Sequence, residues 1–199
     1  MTTRPKIYLA GPDVFLPDAE KIGAIKRALC ASYGFEGLFP LDSNPVEPVA
    51  GTNVSMTIFS ANVSLMRAAD AIIANLTPFR GPSADAGTVF EVGFGVASGK
   101  PVFGYSNEPG AYLDRARRSF GSSEIANADV EGMLIEDFGL EDNLMIVHAL
   151  DLMGAPLVVP AERHSCHQQK WRDMVQFERC LAMVASHFGL TASRKMFGT

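Results

Sequence analysis

Cysteine is scarce in this chain: Cys30, Cys166 and Cys180 are the only three in 199 residues. No two of them stand at the spacing of a metal clamp or a redox pair. An odd, scattered set argues against a disulfide framework and suits a reducing compartment. Long apolar runs are missing too. The N-terminal stretch Ile7-Tyr-Leu-Ala10 is cut short by Gly11, Pro12 and Asp13, so it does not read as a signal peptide. Nothing approaches the ~20 apolar residues that span a bilayer. The chain is therefore expected to be soluble and cytoplasmic, with no membrane partner. An excess of positive charge is lacking as well: 17 Lys and Arg stand against 22 Asp and Glu, a formal net charge of −5. That excludes the electrostatic footprint of a protein that holds a nucleic-acid polymer. The one tight basic cluster, Arg115, Arg117 and Arg118, is expected to be a solvated helix face. There is no phosphate-cradling P-loop. His164, Cys166 and His167 lie close together, but no second ligand cluster partners them, so neither a metal nor another cofactor is expected.

What is present is an ordinary globular balance, 47% hydrophobic and 20% charged residues, in a length that fits one domain spanning residues 1–199. Short apolar runs alternate with longer amphipathic ones. Strands are expected at Ile7–Ala10, Gly37–Pro40, Asp70–Ala74, Lys100–Tyr105 and Leu157–Val159. Helices are expected at about 18–32 (with Ile22, Ile25, Ala28 and Leu29 inward), 54–69 (with Ile58, Ala61, Leu65 and Met66 inward), 87–98, 111–118, 143–152 and 169–187. A loop rich in Pro, Asn and Gly fills 41–52. This is the α/β pattern of a doubly wound, flavodoxin- or Rossmann-like three-layer sandwich around a parallel sheet of about five strands. Such folds bind ligands beyond the carboxyl ends of their strands. That rule directs attention to Tyr8 through Asp13 after the first strand, the loop after Ala74, and the loop after Tyr105.

The loop after Ala74 leads into Glu91, the only charged residue between Thr88 and Ala97. A helix so apolar should be buried, and a lone buried carboxylate costs several kcal/mol unless something satisfies it. A glutamate bonded to backbone or to an arginine would satisfy that need without any chemistry. One turn into a helix that follows a central strand, it can equally point into the cleft. Tyr8, at the end of the first strand, could donate its hydroxyl to Glu91, or be a half-buried strand aromatic. Asp85 could reach the same cleft, or simply cap the helix. Gly11 and Asp13, in the loop that ends the first strand, are candidates for substrate contact. A carboxylate in a semi-apolar cleft suits attack on an anomeric carbon through a covalent glycosyl ester. The residues alone do not name the substrate.

Several segments carry a resemblance: Ile7-Tyr-Leu-Ala-Gly-Pro-Asp-Val-Phe15, Ala69-Asp-Ala-Ile-Ile-Ala-Asn-Leu-Thr-Pro-Phe-Arg-Gly81, Asp85-Ala-Gly-Thr-Val-Phe-Glu-Val-Gly93, Gly99-Lys-Pro-Val102 and Phe138-Gly-Leu-Glu-Asp-Asn-Leu-Met145. On these the chain resembles the nucleoside 2-deoxyribosyltransferase family. The resemblance implies Glu91 as the nucleophile that takes the 2-deoxyribosyl group, Tyr8 as the hydroxyl that positions it, and Asp85 as the holder of the sugar hydroxyls. It implies that Asn143 reaches the 5′-hydroxyl from a neighbouring subunit of a homo-oligomer, and that Phe15 forms an aromatic wall beside the base. The implied partners are deoxynucleosides and free nucleobases. Many members carry an aspartate where this chain has Asn62, eight residues before Asp70. An amide can hydrogen-bond a base edge but cannot protonate a leaving base, which leaves Asp13 or solvent for that task.

Two rivals stand beside transfer. The related 2′-deoxynucleoside 5′-monophosphate N-glycosidases carry a serine where Asp85 stands, so that they can bind phosphate; a carboxylate there would repel the dianion, although Ser83 and Arg80 lie near. A non-catalytic nucleotide-binding module on the same fold is the other.

Overall fold

The computed structural model describes residues 4–43, 53–121, 123, 125–163, 166 and 169–190. Most of the loop expected at 41–52 therefore lies outside the described residues, as do His164 and His167. Strand β1 (Lys6–Ala10) pairs in parallel with β2 (Glu36–Leu38) on one side and with β3 (Ala71–Asn75) on the other. Strand β4 (Val102–Tyr105) pairs in parallel with β3, so the sheet has four strands in the order β2-β1-β3-β4. The fifth strand expected at Leu157–Val159 is reduced to one parallel bridge between Val158 and Tyr105. Pro156 and Pro160 flank that segment, and a residue without an N–H cannot extend a ladder.

Strand pleating sorts the core into two layers, because successive side chains point to opposite faces. Ile7, Leu9, Ile73, Phe103 and Tyr105 pack against helices α1 (Ala19–Ser32) and α6 (Val175–His187). Tyr8, Ala10, Ile72, Ala74 and Val102 face the opposite layer of α2 (Val54–Ala68), α3 (Ala86–Ala97) and α5 (Leu144–Asp151). Helix α4 (Tyr112–Phe120) follows β4 in the long excursion. The result is the three-layer α/β sandwich that the alternation of runs foretold. Its reversal of strand order lies between β1 and β3, next to Tyr8.

Several inward faces differ from expectation. In α1, Ile25 is exposed and Lys26 is 2% exposed. Lys26 follows Ile22 by one turn and shares its face. Its ammonium is kept inside by Asp13 at 2.7 Å and by the rings of Tyr105 and Phe177 beneath it. In α2, Ile58 is exposed beside Phe59, while Val63 and Met66 make the contact with the sheet side. Helix α6 begins at Val175, six residues later than expected, and a separate single turn covers Gln169–Trp171. Asn107 explains the break: its side-chain amide donates to the carbonyls of Lys170 and Asp173, which pulls that stretch onto the end of β4 before the helix starts.

Helix α3 approaches the sheet closely at Gly95. A Cβ there would come within 2.7 Å of both Ile72 Cδ1 and Val102 Cγ2. Gly95 follows Glu91 by one turn on the same face, so this approach sets how deep Glu91 sits. Gly95→Val is expected to lower stability by about 1–3 kcal/mol through overpacking, read as a lower urea midpoint.

Candidate active site

The parity of β1 turns Tyr8 toward α3, and its hydroxyl donates to Glu91 Oε1 at 2.6 Å. Tyr8 is fully buried and Glu91 half-buried. Burial pushes the Glu91 carboxyl up to about 7; the Tyr8 hydrogen bond opposes that rise, and the nearby Asp85 charge adds to it. Burial and the Glu91 charge together hold the Tyr8 phenol well above its ordinary range. Tyr8 therefore stays a donor while Glu91 changes charge near neutrality. Glu91 Oε2 accepts no hydrogen bond among the described residues. Such a carboxylate can attack an electrophile when ionised or give up a proton when protonated.

Asp85 is the N-cap of α3. Its Oδ2 accepts from the Thr88 amide at 3.0 Å and the Thr88 hydroxyl at 3.2 Å. Oδ1 is left without a partner among the described residues, so the capping role and an open acceptor coexist in one side chain. The expectation that α3 is buried all round is corrected: Phe90 is 52% exposed. Its ring contacts the exposed Phe59 and also Phe94, which is partly buried against the core.

The other expected residues divide. Asp13 is 1% exposed and engaged inward, paired to Lys26 and accepting from the Asn75 amide at 3.1 Å. It joins the loops that leave β1 and β3. Gly11, at φ 155°, is needed for that junction, since a Cβ would meet Asp13 Oδ2 at 2.6 Å and Asn75 Cβ at 2.8 Å. Asn62 lies on α2 one turn before Met66 and has no hydrogen bond among the described residues. Phe15 is 56% exposed and stacks on Phe79 at 5.4 Å. Asn143 is the N-cap of α5: its oxygen accepts from the Met145 amide, and its Nδ2 donates to Glu136 at 2.6 Å.

Two groups escaped the sequence reading. Asp142, 2% exposed, accepts from the Ser83 hydroxyl, the Ala84 amide and the Asn143 amide. It ties α5 to the loop that ends at Asp85. Arg115, expected on a solvated face, is 6% exposed. Its guanidinium donates to the carbonyls of Pro82, Gly110 and Glu141 and lies 3.9 Å from Asp142. A buried arginine amid charged neighbours in sequence leaves no periodic signal, because its partners are backbone oxygens. Asp142 lies within Phe138–Met145, where the neighbouring Asn143 is the more conspicuous residue. No three His, Cys, Asp or Glu side chains converge as a metal site among the described residues, and no helix among them is long and apolar enough to cross a membrane.

The sequence pattern of the family described as nucleoside 2-deoxyribosyltransferase matches residues 7–145. The chain belongs to this family. Membership points to pentosyl transfer on nucleosides, and the matched span contains Tyr8, Phe15, Asn62, Asp85, Glu91 and Asn143, while α6 lies beyond it. The chain is 30% identical over 173 residues to an uncharacterized protein of Schizosaccharomyces pombe, covering 78% of this chain and 81% of that one. Among solved structures it resembles a 2-desoxiribosyltransferase from Leishmania mexicana, at 29% identity and a TM-score of 0.58, covering 86% of this chain and 97% of that one. A conserved protein from Enterococcus faecalis V583 shares the fold, at 21% identity and a TM-score of 0.55, covering 92% and 99% of the two chains.

A deoxyribosyltransferase-family carboxylate held this way weakens its own fold. The folded-state value of about 7 lies above the ordinary 4.5, so the folded chain binds the proton more tightly than the unfolded one. Stability contributed by the protonated form is present below the ordinary value and is lost as pH rises toward about 7. Glu91→Gln is therefore expected to be more stable than the parent at about pH 8, by about 2–3 kcal/mol, and little different near about pH 4. Thermal melts at the two pH values check this.

Proposed function

We propose that the chain is a nucleoside 2-deoxyribosyltransferase that works by a ping-pong, retaining mechanism through a deoxyribosyl-glutamate. The observation that carries this reading is the 2.6 Å hydrogen bond from the buried Tyr8 hydroxyl to Glu91, at the carboxyl edge of the sheet. Tyr8 occupies Oε1 and fixes the carboxylate plane, which leaves Oε2 to attack the anomeric carbon. The bond from that carbon to the base nitrogen breaks, and its electron pair leaves with the base. A second base then attacks the same carbon and displaces the carboxylate, so two inversions restore the original configuration. Water in place of the second base gives slow hydrolysis.

Asp85 accepts the sugar hydroxyls through Oδ1 while Oδ2 keeps the helix cap. The leaving base takes its proton from solvent. Asn62 offers only an amide, and Asp13 is committed to Lys26 and Asn75. Phe15, with Phe79 behind it, provides the wall for the base. The working form is a homo-oligomer. What supports it is the exposed apolar surface at Phe59, Phe90 and Met145, together with the second Nδ2 hydrogen of Asn143, which Glu136 leaves for a neighbour's 5′-hydroxyl. Expected partners are deoxynucleosides and free bases in the cytoplasm, in a salvage role.

Base exchange tests the reading: the protein incubated with 2′-deoxyinosine and free adenine or cytosine should form new deoxynucleosides, and Glu91→Ala should form none. Release of free base and sugar only, or reaction of deoxynucleoside monophosphates alone, would favour the N-glycosidase. The carboxylate of Asp85 speaks against that outcome.

The pH profile supplies a second test. Glu91 must be ionised to attack, so kcat/KM should rise through a midpoint near 7. The Tyr8 hydrogen bond lowers that midpoint, so Tyr8→Phe should move it upward and cost about tenfold or more in rate at neutral pH. An unmoved midpoint would remove Glu91 as the titrating group.

A further inference from the structure

A second cleft, of about 550 Å³, opens behind the segment 78–82, and none of Tyr8, Asp85 or Glu91 lines it. Its volume is that of a small-molecule site. Phe79, Arg80, Arg115, Arg118, Lys170 and Trp171 are among its walls. Four cations thus face it, and Glu108 is the one carboxylate among the described lining residues. That concentration of positive charge stands out in a chain with a formal net charge of −5.

The cations differ in what occupies them. Arg115 is committed to backbone carbonyls and serves as scaffold. Glu108 is shared between Arg163 at 2.9 Å and Lys170 at 3.8 Å, so it only partly offsets Lys170. Burial, with repulsion from Arg115 and Arg163, pulls the Lys170 ammonium below its ordinary range while Glu108 works against that. Arg80 and Arg118 are exposed and form no ion pair among the described residues. Arg80 also has a left-handed backbone, φ 55°, unusual for a residue with a side chain and a mark of functional segments. Its guanidinium lies over the rings of Phe79 and Phe15 at 4.7 and 5.2 Å.

The aromatic wall is firmly held. Trp171 meets Phe79 edge-on at 5.9 Å, and Asn107 anchors the turn that carries it through the Lys170 and Asp173 carbonyls. The Lys170 ammonium already lies over one side of the Trp171 ring at 5.1 Å, and Arg80 and Arg118, which form no ion pair among the described residues, stand beside that half-buried indole. Together they suit a ligand with both an anionic group and a flat ring. We propose that this cleft binds a nucleoside monophosphate, its phosphate on Arg80, Arg118 and Lys170 and its base against Trp171, as a ligand separate from the one that meets Glu91. The inference does not depend on what Glu91 does.

Trp171 is the only tryptophan in the chain, so its fluorescence reports this cleft. Titration of the full-length protein with 2′-deoxyadenosine 5′-monophosphate should change that emission saturably. Added salt should weaken the binding. Arg118→Glu, at an exposed position, should raise the dissociation constant about tenfold or more with an unchanged circular dichroism spectrum. Deoxyadenosine, which lacks the phosphate, should give at most a smaller change that Arg118→Glu leaves unaltered, and inorganic phosphate should bind more weakly than the nucleotide. The same curve is expected in Glu91→Gln. No saturable response, an equal response to deoxyadenosine, equal affinity for inorganic phosphate, or indifference to Arg118→Glu would each overturn the proposal. So would loss of the response in Glu91→Gln, since the nucleotide would then sit in the sugar-transfer site. Absence of base exchange with the titration intact would instead overturn the transfer reading alone.

Discussion

A carboxylate on an apolar helix can be kept near neutrality only if one strong donor meets it and water is largely excluded. The Tyr8–Glu91 hydrogen bond supplies the donor and the packing of α3 on the sheet supplies the burial, and much of the surrounding structure can be understood as what allows the two to coincide. Tyr8 must be on the α3 side of β1, which the pleat decides. Helix α3 must lie close to the sheet, which Gly95 permits by having no side chain between Ile72 and Val102. The helix must also begin where the loop from β3 ends, and Asp85 fixes that start by capping it. A carboxyl displaced by an ångström or two would either regain water and titrate low, or lose its donor and stay protonated.

The same edge of the sheet is held by buried charge. Lys26, Asp13 and Asn75 link α1 to the loops after β1 and β3. Arg115 and Asp142 link α4 and α5 to the loop after β3. Ionic groups in such places add little net stability, because desolvation offsets their attraction. They do restrict how their neighbours can be arranged, since any rearrangement leaves a charge unpaired. In a fold whose ligands bind on loops, that restriction substitutes for regular secondary structure.

The loop from Pro78 to Asp85 lies between two different environments. Toward α3 it ends in a carboxylate beside a second carboxylate, a setting that disfavours anions. Toward α4 and Trp171 it lines a cationic, aromatic cleft. Opposite electrostatic signs on either side of one short segment favour chemically different occupants, in keeping with the two proposals: neutral sugar hydroxyls on one side, an anion on the other.

The layer architecture and the position of Glu91 at the edge of the sheet were legible in the sequence because both rest on local signals. Short apolar runs spaced by amphipathic ones give a parallel sheet, and a lone Glu91 in an apolar helix declares itself by contrast. Tyr8 and Asp85 were legible for the same reason, standing at the end of a strand and the start of a helix. The misread positions share a different cause. Lys26 turned inward, Ile25 outward, and Arg115 became buried because the partners that compensate them are remote in sequence. Pro156 and Pro160 were visible, yet their effect on the fifth strand depends on which neighbour it would have paired with. Propensity and periodicity act over a few residues, so the linear order of side chains was enough to put Tyr8, Asp85 and Glu91 on their strand and helix. Which charges pair, which loops meet and where a cationic cleft opens depended on the folded chain, because Coulomb attraction and close packing act through space between segments far apart in sequence.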